Sequence, residues 1–172
     1  MAVEHYLVIS DTHFMPWMLR YVMENEAGKT FVKVLHLGDL EEEDATIKAI
    51  AKCPLESVRG NNDFDYEKPS EMIVGIGNHK IFMTHGHLYG VDYSTEDLIA
   101  SARKQGCDVA LYGHTHRPVL KTYKDGFILA NPGSLALPRQ SGQYYNCSSY
   151  MIMEHDTVSD KLTFYKRYLK SV

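Results

Sequence analysis

The stretch Tyr6-Leu7-Val8-Ile9-Ser10-Asp11-Thr12-His13 (YLVISDTH) decides the architecture. Its first five residues form a short, nearly continuous apolar run, the pattern of a strand buried on both faces. The run stops at a carboxylate and an imidazole, Asp11 and His13. Downstream, Met15, Met18, Leu19 and Val22 recur at i, i+3, i+4 and i+7, which predicts a helix with one apolar face. Gly28 marks its end. A second strand is predicted over Val32–Leu37, stopping at Gly38-Asp39. Ile47, Ile50 and Ala51 give a second helix, which must finish before Pro54. A third strand, Leu55–Val58, stops at Arg59-Gly60-Asn61-Asn62-Asp63.

The first 63 residues therefore read β-α-β-α-β, with a polar cluster closing each strand. Such alternation implies parallel strands with covering helices. In sheets of this kind functional groups collect at the carboxyl ends of the strands. The three clusters are expected on one edge of one sheet.

The second half has a different texture. Met72–Ile76 and Lys80–Thr84 predict a hairpin around Gly77-Asn78, and its second strand ends in His85-Gly86-His87. Ser94-x-x-Asp97 resembles a capping box ahead of a helix carrying Leu98, Ile99 and Ala102. Val109–Tyr112 is a strand ending in Gly113-His114-Thr115-His116. The remaining runs, 119–123, 127–130, 148–153 and 162–168, are separated by turns and read as antiparallel strands. With no linker or repeat, one domain spanning 1–172 with two sheets is expected.

Composition narrows the classes. The chain is 44% hydrophobic and 23% charged, and its net charge of −4 leaves no basic footprint for a nucleic-acid polymer. Cys53, Cys107 and Cys147 lie far apart, so neither a disulfide framework nor a thiolate zinc site is suggested. A cytoplasmic setting is expected: the N-terminus lacks a basic segment with a cleavage site, and no apolar run reaches the roughly 18 residues of a membrane span.

The strand-end clusters are Asp11-x-His13, Gly38-Asp39, Gly60-Asn61-Asn62-Asp63, His85-Gly86-His87 and Gly113-His114-x-His116. Carboxylates, imidazoles and a carboxamide form a hard-to-borderline donor set, suited to Mn²⁺, Fe, Zn²⁺ or Ni²⁺. The candidate ligands exceed the roughly four to six that one ion needs, so two ions sharing a carboxylate is the economical reading.

In this order, D-x-H, G-D, G-N-x-D, H-G-H and G-H-T-H resemble the calcineurin-like metallophosphoesterase superfamily. With Asn131-Pro132-Gly133-Ser134, they resemble most its compact bacterial and archaeal phosphodiesterase branch. The resemblance spans Asp11 to Ser134. It implies an α/β fold: a four-layer αββα sandwich of two mixed sheets flanked by helices. It assigns Asp11, His13, Asp39 and His116 to a first metal. Asp39, Asn61, His85 and His114 would hold a second, with Asp39 as bridge. It also implies in-line attack on phosphorus by a hydroxide between two divalent ions roughly 3.5–4 Å apart. Mn²⁺ is the expected ion, with Zn²⁺, Fe and Ni²⁺ as alternatives.

One position departs from the pattern. Much of the superfamily has a histidine where this chain has Asn62, and that histidine helps the leaving group depart. A carboxamide donates a hydrogen bond but gives up no proton near neutral pH. Phosphodiesters with good leaving groups are thus the expected substrates, with Asn62 a phosphate contact and His87 a substitute acid. His36 is expected to be packed, His5, His79 and His155 to be structural or exposed, and Ser134 to belong to a turn that closes the site. Arg59 is equally a structural ion-pair member or a substrate group. Met15 and Met18 are read as helix core. Tyr66, Tyr89, Tyr93, Tyr144 and Tyr145 lie in loops where they could stack on a base or aryl group. A protein-interaction scaffold on the same fold is the competing reading, with the retromer subunit of the superfamily as precedent. A nuclease is disfavoured by the acidic charge. A homo-oligomer stays open.

Overall fold

In the structure, a computed structural model, residues 2–41, 44–139 and 141–169 are described. Two five-stranded mixed sheets lie face to face. The first has the order β10-β9-β1-β2-β3 and the second β4-β5-β6-β8-β7. The strands are β1 Val3–Ile9, β2 Phe31–His36, β3 Leu55–Ser57, β4 Glu71–Ile76, β5 His79–Thr84, β6 Val109–Leu111, β7 Val119–Thr122, β8 Ile128–Asn131, β9 Ser149–Asp156 and β10 Lys161–Tyr168. The helices are α1 Met18–Asn25, α2 Asp44–Ala51 and α3 Glu96–Lys104.

The two-residue period of a strand sorts the side chains into layers. In β1, Tyr6 and Val8 enter the core between the sheets, together with Leu35, Met83, Leu111, Met151 and Met153. Leu7 and Ile9 point the other way, onto Leu19 and Val22 of α1 and Ile47 of α2. On the far side, Phe82 and Ala110 pack against Leu98 and Ala102 of α3. Three apolar interfaces separate four layers, α-β-β-α, which is the sandwich the resemblance implies. Each fully buried aliphatic side chain in these layers contributes roughly 1.5–3 kcal/mol relative to exposure.

β1 and β2 run parallel, with Ile9 opposite His36. β2 and β3 are parallel too. In the second sheet β5, β6 and β8 are parallel. The expected edge forms: Asp11, Asp39 and Gly60 follow the carboxyl ends of the parallel strands β1, β2 and β3 in the first sheet, while His85 and Gly113 follow β5 and β6 in the second.

Three expectations need correction. α1 begins at Met18 rather than at Met15. His13 and Phe14 have φ of 40° and 57°, and only a tight turn through Pro16 precedes the helix. The capping box does not form. Thr95 is the N-cap residue with no side-chain cap bond, and Ser94 Oγ accepts from the Glu96 N–H at 3.1 Å instead. The late strands are not all antiparallel: β8 pairs in parallel with β6, and the β9–β10 hairpin leaves the second sheet to join β1. Among the described residues there is no disulfide, and no helix is long and apolar enough to cross a membrane.

Candidate metal centre

The turns after the strands are stitched to one another. The Asp11 N–H donates to the Gly38 carbonyl, His13 N–H to the Asp39 carbonyl, and Gly113 N–H to the His85 carbonyl, at 3.0–3.1 Å. Asp11, His13, Asp39, His114 and His116 all have φ between 40° and 65°. Left-handed backbone costs a non-glycine residue roughly 1–2 kcal/mol, less for Asp and Asn. Such strain concentrates at functional sites. Here it reverses the chain sharply enough to aim five side chains inward.

Gly60 allows the closest approach. A Cβ there would stand 2.1 Å from Asp39 Oδ1 and 2.4 Å from its amide nitrogen. Asp63, expected only as part of a motif, braces this turn. Its Oδ2 accepts from the Asp39 and Gly60 N–H groups at 2.9 and 2.7 Å, and its Oδ1 from Glu41 N–H at 2.7 Å.

Two tight groups result: Asp11 with His13 and His116, and Asp11 with Asp39 and His85. Asp11 is thus common to both, whereas the resemblance assigns the bridge to Asp39. Asp39 Oδ2 nonetheless faces both sides, 3.4 Å from His85 Nε2 and 3.8 Å from His13 Nε2.

Tautomers give the arrangement its meaning. His85 Nδ1 hydrogen-bonds the Leu37 carbonyl at 2.7 Å, His116 Nδ1 the Leu137 carbonyl at 2.5 Å, and His13 Nδ1 Glu41 Oε1 at 2.5 Å. With the proton on Nδ1, each ring directs its Nε2 lone pair inward. Those lone pairs meet oxygens. His116 Nε2 lies 3.1 Å from Asp11 Oδ1. His85 Nε2 lies 3.4 Å from Asp39 Oδ2 and 3.1 Å from Asn61 Oδ1. The Nε2 atoms of His13 and His116 are 3.3 Å apart. Asp11 Oδ1 is buried with no hydrogen-bond donor.

Acceptors facing acceptors call for positive charge between them. Protons on the imidazoles can supply that charge as well as a metal ion, and the pKa directions reflect it. Burial opposes charge at Asp11, Asp39 and His85, but His116 and His85 outweigh it at Asp11, His85 and Asn62 at Asp39, and Asp39 and Asp11 at His85. The two carboxyls are lowered and the His85 imidazole is raised. A donor set of carboxylates and tautomer-fixed imidazoles, with an orphaned buried oxygen, fits divalent cations.

The remaining candidates lie around this nucleus. The His114 N–H donates to Asp11 Oδ2 at 3.2 Å, and its ring centre is 5.2 Å from that of His85. Its Nε2 is bound to Asp92 Oδ2 at 2.8 Å, and the residue belongs to neither tight group. Asn62 binds Asp39 with both its N–H and its carboxamide. His87, in a short 3₁₀ turn, lies 5.4 Å from His85 ring to ring, and its Nδ1 is buried without a partner. Burial, then the neighbouring His85 and His114, lower its pKa.

His36 is packed as expected. It bonds Thr12 Oγ1 at 3.1 Å and accepts from Gly38 N–H, and burial pulls its pKa down to about 4. Ser134 donates to the Asp11 carbonyl at 2.8 Å and accepts from two backbone amides, so it braces the turn. Arg59 makes no ion pair among the described residues and lies over the Tyr66 ring, 5.1 Å from its centre. Phe14 and Trp17 are about half exposed beside the first ligands.

Sequence reasoning passed over Glu41 and Asp92, whose hydrogen bonds orient His13 and His114. A single carboxylate in a polar loop carries no spacing that would reveal such a role.

The description "Calcineurin-like phosphoesterase superfamily domain" matches residues 5–158. The chain belongs to this superfamily. The probable metallophosphoesterase YsnB of Bacillus subtilis is 30% identical over 159 residues, covering 92% of this chain and 89% of its own length. The phosphodiesterase YfcE of Escherichia coli is 32% identical over 112 residues, covering 60% and 54%. A predicted phosphoesterase of Streptococcus pneumoniae has a solved structure with TM-score 0.75 and 26% identity, over 97% of this chain and 99% of that one. Vps29 of Entamoeba histolytica, solved in complex with Zn²⁺, superposes with TM-score 0.69 at 23% identity over 96% and 99%, a likeness of fold alone.

Proposed function

We propose that this superfamily member is a two-metal phosphodiesterase, a single metallophosphoesterase domain acting on a small phosphodiester. The observation that carries the reading is the set of inward Nε2 lone pairs and carboxylate oxygens, with Asp11 Oδ1 buried and undonated. Asp11, His13, Asp39, Asn61, His85, His114 and His116 would hold the ions. When bound, two divalent ions supply Lewis acidity toward phosphoryl oxygens and make water nucleophilic at neutral pH.

The chain's own groups then divide the work. Asp11 and Asp39 carry the anionic charge that retains the ions. The Leu37 and Leu137 carbonyls and Glu41 hold three imidazoles in one tautomer, so no ring must reorient during turnover. Asn62, bound to Asp39 through its backbone N–H and one carboxamide N–H, keeps the other carboxamide N–H for a phosphoryl oxygen but gives up no proton. His87, whose Nδ1 is buried without a partner and whose ring lies 5.4 Å from that of His85, is the group proposed to carry one to a leaving oxygen. This favours diesters with acidic leaving alcohols over alkyl monoesters.

Mn²⁺ remains the expected ion, and a cytoplasmic location the expected setting. The scaffold reading is less favoured because every ligand position is kept and five of the ligands already converge. The test compares bis-p-nitrophenyl phosphate with p-nitrophenyl phosphate, using protein stripped of metal and reloaded with Mn²⁺, alongside Asp39→Asn. Mn²⁺-dependent diester cleavage that Asp39→Asn reduces by a factor of at least about 100 supports the reading. Stoichiometric binding of two ions without turnover by any of the candidate metals sinks it in favour of the scaffold.

A further inference from the structure

Immediately beside His116 the surface opens into a pocket of about 530 Å³, lined by Arg117, Pro118, Arg139, Ser141, Tyr144 and Tyr168. Its walls are tied to the candidate centre. Arg117 follows His116 in the chain, and the Arg139 N–H donates to the His116 carbonyl at 3.1 Å. The segment between is fixed as well, because His116 Nδ1 is bonded to the Leu137 carbonyl at 2.5 Å. Tyr144 and Tyr168 stack flat on each other, ring centres 3.9 Å apart and planes within 3°, and form a rigid wall.

The pocket brings two arginines together. The chain carries a net charge of −4. Among the described residues, Arg103 pairs with Asp125 and Arg167 with Glu26, whereas Arg20 and Arg59 make no ion pair. Neither Arg117 nor Arg139 has an ion-pair partner among the described residues. The Arg117 Nε–H donates to the Arg139 carbonyl at 3.4 Å, which anchors one edge of its guanidinium and leaves the terminal N–H groups for a ligand. Two guanidinium groups lining one concave site favour an anion there. Their planar forks match the oxygens of a phosphate in particular.

We infer that this pocket is a subsite for a second phosphate group carried by the phosphodiester substrate. The inference rests on the phosphodiesterase reading for its catalytic meaning. It narrows the substrate class to small diesters with a further phosphate on the group retained beside His116. Two arginines suit one added phosphate and give no track for a polymer, in keeping with the acidic chain.

Two measurements test it. In the first, Mn²⁺-loaded wild type and Arg117→Gln/Arg139→Gln are assayed on 4-phosphobutyl p-nitrophenyl phosphate and on its 4-hydroxybutyl counterpart, which share one leaving group. Wild type is expected to favour the phosphate-bearing diester by about tenfold or more in kcat/KM, and the ratio to collapse toward one in the double variant. The Arg117→Lys/Arg139→Lys protein, which keeps charge without the fork, is expected to fall between. A wild-type ratio near one, or a ratio unchanged in the double variant, overturns the inference.

The second measurement needs no turnover, so it stands even if the phosphodiesterase reading fails. Calorimetric titration of the metal-stripped proteins with butylphosphonate is expected to show binding to wild type and to Asp39→Asn but not to Arg117→Gln/Arg139→Gln. Binding lost in Asp39→Asn but kept in the arginine variant would place the anion at the metal centre and overturn the subsite. Butyrate binding as tightly as butylphosphonate would overturn the assignment to phosphate. Matching thermal melts confirm that the variants are folded.

Discussion

Asn62 grips Asp39 twice: its backbone N–H lies 2.9 Å from Oδ1 and its carboxamide Nδ2 lies 2.6 Å from Oδ2. One residue therefore holds both oxygens of a candidate ligand. Replacing Asn62 by Ala removes the carboxamide and keeps the backbone bond. Metal affinity is expected to fall about tenfold, the lower end for groups that orient a ligand. Asn62→His supplies a proton donor, so it is expected to raise the rate on a poor-leaving-group diester more than on bis-p-nitrophenyl phosphate. A uniform change on both substrates would deny the position any part in leaving-group departure. Mn²⁺ titration and paired kcat/KM values give both readouts.

Glu41 acts on His13 from outside the cluster, Oε1 to Nδ1 at 2.5 Å. In Glu41→Ala the His13 ring loses the partner that fixes its tautomer. Affinity for the ion held by Asp11, His13 and His116 should drop roughly 10- to 100-fold, while the fold persists. A chelator competition assay, with circular dichroism as the control, decides it. Unchanged affinity would mean that the ring is held by packing alone.

Gly60 and Gly75 make a matched pair. Gly60→Ala drives a methyl group against Asp39 Oδ1 and its amide nitrogen, so it should destabilise by about 1–3 kcal/mol and abolish metal binding. At Gly75, in β4, a methyl group would have nothing within 4 Å of it, and Gly75→Ala should leave both properties nearly unchanged. Denaturant melts with metal titration measure the contrast. Equal behaviour of the two variants would contradict the close approach.

A pH effect is expected at the opposite end of the sandwich. His155 joins Asp160 at 2.8 Å and Glu4 at 3.2 Å, and the hydrogen bond to Asp160 is the chief reason its pKa is raised, against the pull of burial. The two carboxyls are lowered by the same contacts. A raised imidazole stabilises the fold fully below its unfolded pKa of about 6.5 and loses that contribution as pH rises through the folded value. The carboxylates contribute above about 4 and lose their share as pH falls through their lowered values. Wild type should thus melt a few degrees above His155→Gln near pH 6, with the gap closing toward pH 9. A gap constant across that range would remove the ionic part of the contact.

Much of this was legible because local rules act locally. The apolar run before Asp11, the Gly77-Asn78 turn and the strand-end histidines each carry their signal within a few residues. Placement of β9 and β10 was not legible. Tyr150, Met151, Ile152 and Met153 are buried on both faces, which says that the strand is central but not in which sheet. The β1–β9 pairing joins Val3 to Asp156, a contact no window of sequence contains. At the site, the carboxylates and imidazoles that converge could be picked out by their place at strand ends. The bracing by Glu41, Asp63 and Asp92 could not, because it depends on how separate loops meet.

The same β1–β9 pairing sets an order of events during synthesis. Asp11 and His13 leave the ribosome early, yet the strand that presents them keeps one bare edge until β9 arrives, ending at Asp156. The Leu135 and Ala136 amides that clasp the carbonyls of Ser10 and Asp11 also come late. A nascent chain stopped before β9 owns all seven candidate ligands but lacks the frame that aims them. On the two-metal reading, tight ion binding is therefore expected only once β9 has paired with β1, and a product truncated before β9 is expected to bind ions weakly.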